Sequence, residues 1–239
     1  MFAMLYVFWI MVLAFLGIVF YVVGSAVIGY FRHPYVDKND PIDINSYDYI
    51  MIVGTAGSGK TTLTKTLVAE YPKFHHIELD NLRFEKQTWN ILSHSNFGQN
   101  LKKELSNGES WICDGNFVNF HTKREMWQKV ECIVWLDYGF WIVFLFAVYR
   151  TWHRISHKVP HCNGNIDTWS RVFFGDSYTS ILRFIWQTHG QFKTKKIERW
   201  KVDEYTNPNV RWIRLQSPYH CQLWWQKCIA SQKKNKTKK

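Results

Sequence analysis

The chain has 239 residues, a net charge of +11 and an aromatic content of 18 %. Its five cysteines are scattered, with no C-x-x-C pair, which excludes a zinc ribbon and a disulfide framework; free thiols suit a reducing compartment. The positive excess favours anionic partners: nucleotides, an anionic membrane surface or nucleic acid.

Residues 2–30 carry no charged side chain and are dominated by Phe, Leu, Ile, Val, Ala and Met. A bilayer core needs about 20 such residues. The stretch exceeds a signal-peptide core and lacks a basic leader, so residues 1–31 are expected to form a transmembrane anchor. Arg32 and Lys38 follow the span and no charged side chain precedes it, which predicts a single-pass protein with its soluble part on the cytoplasmic, reducing side. Residues 32–47 are polar, with two prolines and three aspartates, and read as a linker. A domain then runs from 48 to 230.

That domain opens on Asp48-Tyr49-Ile50-Met51-Ile52-Val53, a short apolar run that predicts a buried parallel strand. The run Gly54-Thr55-Ala56-Gly57-Ser58-Gly59-Lys60-Thr61 follows and satisfies G-x-x-x-x-G-K-[ST] in full. Beyond it, Thr62 to Glu70 has the apolar spacing of one helix face. Strand, glycine-rich loop and helix make a P-loop: glycines let backbone N–H groups turn inward around phosphate oxygens, and the helix N-terminus adds partial positive charge. Gly54, Ala56, Gly57, Ser58, Gly59, Lys60, Thr61 and Thr62 are the expected nucleotide contacts. Lys60 can reach the β- and γ-phosphates of ATP, and the Thr61 hydroxyl can join a Mg²⁺ shell.

Four further strands are predicted: 74–79, ending at Asp80; 110–113, ending at Asp114; 132–136, ending at Asp137; and 210–215, closed by Ser217-Pro218, where Ser can cap a helix and Pro take its first position. Helical patterns lie between them, as around 91–105, and predict a parallel sheet with helices on both faces. Ligands of such sheets bind outside the carboxyl ends of the strands, which makes Asp114 and Asp80, and after them Asp137, candidates for the mouth of the site. Residues 138–149 are uncharged and mostly apolar, too short to span a bilayer, and predict a buried or interfacial helix. Arg150 and Arg154 follow at i, i+4 and share a face; guanidinium forks match phosphoryl oxygens. Of the Trp224-Trp225 pair, one is expected in the core. The lysine-rich residues 231–239 are expected to form a basic disordered tail.

Taken together, GTAGSGKTTL (54–63), ELDNL (78–82), WICDGNF (111–117), TKREMW (122–127), CIVWLD (132–137), VYRTWHR (148–154), CNGNIDTW (162–169) and VRWIRLQSP (210–218) resemble the adenylate-kinase-related "DNA topology modulation" proteins, a family of small P-loop kinase-like proteins. The pieces occur in the family's order over about 50–230. The resemblance implies an α/β nucleoside-monophosphate-kinase-like core with parallel strand order 2-3-1-4-5. It implies that Asp80 lies near the acceptor, that Asp114 holds the Mg²⁺ shell, and that Arg124 contacts the acceptor's phosphate or another anionic group. It also implies that Arg150 and Arg154 belong to a lid and that Ser217-Pro218 lies near the base. Where the family usually shows a Pro-Arg pair after the fourth strand, this chain has Tyr138-Gly139-Phe140, and the family is typically soluble.

The combined expectation is a membrane-anchored, ATP- and Mg²⁺-dependent phosphotransferase acting on a small, unidentified acceptor. Lys60, Asp80, Asp114, Arg124, Arg150 and Arg154 are its expected catalytic residues, with Thr61 and Asp114 at the metal. One alternative is a non-catalytic nucleotide-binding subunit of a membrane protein complex. Another is a basic nucleic-acid-binding ATPase, but no recognition motif accompanies the charge, and no nucleic-acid partner is expected.

Overall fold

The computed structural model describes residues 16, 17, 19–21, 23, 24, 43–115, 126, 128–175, 180–206 and 209–237, the side chains of 196, 197, 199–206 and 233–237 excepted. The chain divides into two compact units, residues 1–40 and 41–239. In the first, the described residues are helical, and Leu16, Val19, Phe20, Tyr21 and Val23 are exposed. Among the described residues no helix is long and apolar enough to cross a membrane; most of the expected anchor 1–31 lies outside them.

The second unit is α/β. Its five strands are β1 (Tyr49–Gly54), β2 (Phe74–Glu78), β3 (Ser110–Asp114), β4 (Cys132–Leu136) and β5 (Arg211–Leu215). They form one parallel sheet in the order β2-β3-β1-β4-β5, as the resemblance implied. The helices around it are α1 (Lys60–Glu70), α2 (Leu79–Arg83), α3 (His94–Ser106), α4 (Phe140–Ser156), α5 (Trp169–Phe174), α6 (Ile181–Thr206) and α7 (Pro218–Thr237).

Why these segments became strands follows from burial. β3 and β4 are buried at every position, and β1 at all but Tyr49, so the central strands read as continuous apolar runs rather than alternating ones. The edge strands β2 and β5 carry partly exposed residues. Trp111, Trp135 and Trp224 are fully buried, and each buried Leu, Ile or Val adds about 1.5–3 kcal/mol. Trp224 is the core member of its pair; Trp225 meets the Tyr71 ring edge-on.

Three boundaries differ from the expected ones. The segment before β1 folds into a 3-10 turn at Ile44–Ser46 with Ile44 fully buried, and Lys73 Nζ donates to the carbonyls of Asn45 and Tyr47. The last residues of the expected linker therefore pack on the domain. β2 stops at Glu78, and Asp80 lies in the first turn of α2 rather than in a loop. At the far end α7 continues to Thr237, through residues expected as a disordered tail. No glycine or proline interrupts them, and Gln232 is buried with its side-chain amide donating to the Glu70 carbonyl.

Candidate active site

Because all five strands run parallel, their carboxyl ends share one edge of the sheet, and the glycine-rich loop leaves β1 there. Its shape requires its glycines. Gly57 and Gly59 have φ of +87° and +89°, and a Cβ on Gly57 would lie 2.8 Å from the Val143 carbonyl oxygen, so the loop passes directly under α4. A Cβ on Gly54 would come within 2.8 Å of the Leu136 carbonyl and closer still to the Ser58 hydroxyl. Gly59 also begins α1 without a side-chain cap, an arrangement that suits an anion at the helix N-terminus.

Lys60 folds back over this loop. Its ammonium donates to the Thr55 carbonyl at 3.1 Å and is largely buried. Burial lowers its pKa; the carboxylates of Asp80 and Asp114 oppose this, and the Arg150 guanidinium adds to it. Lys60, Asp80, Asp114 and Arg150 therefore share one electrostatic environment, although they come from four separate segments. Thr61 is half-buried in the first turn of α1, beside Lys60, and Thr62 is exposed.

Asp114 ends β3 with its side chain almost wholly buried, and His76 Nε2 lies 3.1 Å from its carboxylate, imidazole N–H to oxygen. Gly115 explains how Asp80 comes near it. At φ +141°, Gly115 packs so tightly on Leu79 that a Cβ would sit 2.7 Å from the Leu79 Cβ. The start of α2 is thereby drawn against the end of β3. Burial raises the Asp80 carboxyl pKa, Asp114 raises it further, and Lys60, Arg150 and His161 pull it back. Glu78, opposite Asp114 in the strand register, is also raised, by burial first and then by Asp114.

α4 closes the site from above. Val143, Ala147 and Thr151 are its buried positions, and Arg150 and Arg154 lie along the same side. The two arginines overlap in their partners. Arg150 acts on Lys60 and Asp80, and its own pKa is lowered by burial and by Arg154. Arg154 acts on Cys162 and Asp167, which Arg150 also reaches. Burial pushes Asp167 up, but His161 at 3.2 Å, with Arg154 and Arg171, brings it below its ordinary value.

A second group lies over the site. The loop after α4 and the loop after α2 are stitched together by side chains about eighty positions apart. Asn165, fully buried, donates to the Glu85 carbonyl at 3.2 Å and accepts from the Trp89 N–H at 2.6 Å. Asn163 donates to the Phe84 carbonyl at 2.9 Å, and its own N–H donates to the Asn81 side chain at 3.0 Å. Gln87, Trp89, Cys162 and Asn163 all have positive φ, a conformation held by these bonds against its cost. The available signal was the polar run CNGNIDTW; for His76 it was the period-two pairing of His76 and Glu78 on one strand face.

The remaining expected residues are not drawn in. Asp137 is buried but taken up structurally: Arg214 Nε donates to it at 2.8 Å, and Lys193 lies 3.4 Å away. Ser217 and Pro218 follow β5, two strands from β1 on the same sheet edge, and the Ser217 hydroxyl accepts from the His220 N–H at 3.1 Å as the cap of α7. Arg124 lies outside the described residues.

The site's polar atoms fit a phosphate-bearing ligand. Among the described residues, the buried hydroxyls of Thr55 and Ser58, Arg150 Nε and His161 Nδ1 have no hydrogen-bond partner, and buried polar atoms are ordinarily satisfied. Among the described residues no group of three or more His, Cys, Asp or Glu could hold a metal. A Mg²⁺ ion of the kind expected takes one or two protein oxygens and completes its shell with water and phosphate; Thr61 and Asp114 offer that number. Compared with known protein families and with curated proteins, the chain matches none.

Proposed function

We propose that this chain is a membrane-anchored phosphotransferase with a P-loop and a nucleoside-monophosphate-kinase-like domain, similar to the adenylate-kinase-related family and acting on a small acceptor with ATP. The carrying observation is the shared electrostatics of Lys60, Asp80, Asp114 and Arg150 beside a glycine loop whose buried hydroxyls lack partners among the described residues. In this reading Gly54 to Thr62 hold the ATP phosphates. Mg²⁺, when bound through Thr61 and Asp114, supplies charge neutralisation between the phosphates. Lys60 and Arg150 offset negative charge on the transferring group, Arg154 orients the acceptor side, and Asp80 takes up or positions the acceptor's proton. The asparagine-stitched loops exclude water. Arg124 contributes a further cation to the acceptor.

The test is a screen of nucleoside monophosphates and other small acceptors with labelled ATP, beside an ATP-only control. Acceptor-dependent product is expected, and Lys60→Ala should lower its rate by about 10²–10³-fold. ATP that binds without any transfer would instead support a non-catalytic nucleotide-binding subunit of a membrane complex. One observation favours that second reading: Phe174, Phe173 and Trp186 are 89 %, 67 % and 62 % exposed, an apolar surface of the kind that partners cover.

A further inference from the structure

One buried side chain at the site has no task in the transfer proposed above. His161 lies in the loop after α4, directly before Cys162 and Asn163. Its backbone N–H and C=O pair with those of Asn165, each at 2.8 Å. The Trp89 ring crosses its own at 5.1 Å and 72°, and the Arg171 guanidinium lies over Trp89 at 3.7 Å. The imidazole is therefore held from several sides. Its Nε2 lies 3.2 Å from the Asp167 carboxylate, and the two side chains are 12 % and 11 % exposed. Its Nδ1 is buried and has no partner among the described residues. The ring also acts on the Asp80 carboxyl, so it belongs to the same cleft as Lys60 and Arg150.

We propose that His161 is the base that takes the acceptor's proton, and that the acceptor therefore attacks through a hydroxyl rather than a phosphate oxygen. The inference rests on the phosphotransferase reading and names the acceptor's class. Asp167 fixes the proton. Raised by burial but brought below its ordinary value by His161, Arg154 and Arg171, it is an anion at neutral pH. An anion at Nε2 holds the imidazole N–H there and leaves Nδ1 as a bare lone pair. A buried lone pair needs a donor. A hydroxyl supplies one, whereas the oxygens of a phosphate, largely ionised at neutral pH, would be repelled and need no base. Charge supports the same tautomer, since Arg154, which acts with His161 on Asp167, disfavours a further cation beside it. The step balances. The acceptor oxygen bonds to the γ-phosphorus of ATP as the bond from that phosphorus to the β,γ-bridging oxygen breaks. ADP leaves with the electron pair, and the hydroxyl proton passes to His161 Nδ1 and then to solvent. Asp80, ionised, orients the hydroxyl.

Two measurements on the full chain test this. The first is the nitrogen NMR spectrum of protein labelled with ¹⁵N in its histidine rings, with His161→Asn assigning the signal among ten histidines. At neutral pH His161 is expected to carry one proton, on Nε2, and Asp167→Asn should shift that proton toward a mixture of tautomers. A ring protonated on both nitrogens would overturn the inference, because it would then serve as a donor to an anion. The second is the acceptor screen with labelled ATP, read by treating the product with hot dilute acid. A phosphate ester, which survives, is expected; a labile phosphoanhydride would overturn the inference and leave the phosphotransferase standing. His161→Asn should lower kcat by about 10²-fold or more with the KM for ATP unchanged, and an undiminished kcat would also refute the base. ATP that binds but is transferred to no acceptor would overturn both readings together.

Discussion

β3 and β4 flank the central strand on either side, and they look alike. Each is five buried residues with an aspartate at its carboxyl end. Their aspartates nevertheless have different fates. Asp114 meets His76 and acts on Lys60 and Asp80. Asp137 is taken up by Arg214 and Lys193, cations that arrive from β5 and α6. The difference lies in which side chains the next element delivers. On the β3 side it is α2, drawn in by Gly115; on the β4 side it is an edge strand bearing arginine. A carboxylate at a strand end is thus a site candidate only until its neighbours' charges are known.

Substitution at the two positions gives the sharpest contrast. Asp114→Asn keeps shape and removes charge; transfer should fall by about 10²–10³-fold, with the unfolding midpoint little changed. Activity that survives would move the metal role to Asp80. Asp137→Ala should do the reverse. It removes the buried acceptor of the partly exposed Arg214 guanidinium and should cost about 1–2 kcal/mol in urea unfolding, while the folded fraction keeps its transfer rate. If Asp137→Ala abolished transfer without loss of stability, the distinction between the two strand ends would collapse.

A smaller contrast lies within α4. Arg150→Ala should reduce kcat more than Arg154→Ala, since it is Arg150 that acts on Lys60 and Asp80; ATP affinity should change little in either. Equal effects would mean that both guanidiniums reach the transferring group.

The smallest expected effect is a displaced pH limb. Burial raises the Asp80 pKa, so the transferring rate should fall on acidification through an apparent pKa above the ordinary carboxylate range, and Asp80→Asn should remove that limb. The sign for stability is opposite to that of a salt-bridged carboxylate. The folded state holds the Asp80 proton more tightly than the unfolded one, so its contribution is fullest below the unfolded pKa and is lost as pH rises through the folded one. A limb unmoved in Asp80→Asn would assign it to Glu78, which is raised for the same reason.

Much of the architecture was legible in the residues because parallel strands buried on both faces leave uninterrupted apolar runs, and because a loop that wraps tightly at positive φ demands glycine at fixed spacing. The strands, the glycine loop and the shared face of Arg150 and Arg154 follow from such local rules. What the tertiary structure decided is every relation that joins distant segments. Asp80 became a helix residue because Gly115 lets Leu79 pack on β3. Asn163 and Asn165 became a clasp because backbone groups about eighty positions away needed partners. Asp137 left the candidate site because β5 set Arg214 beside it. Local periodicity reports which side of an element is apolar; it carries no record of which charge the fold will place opposite.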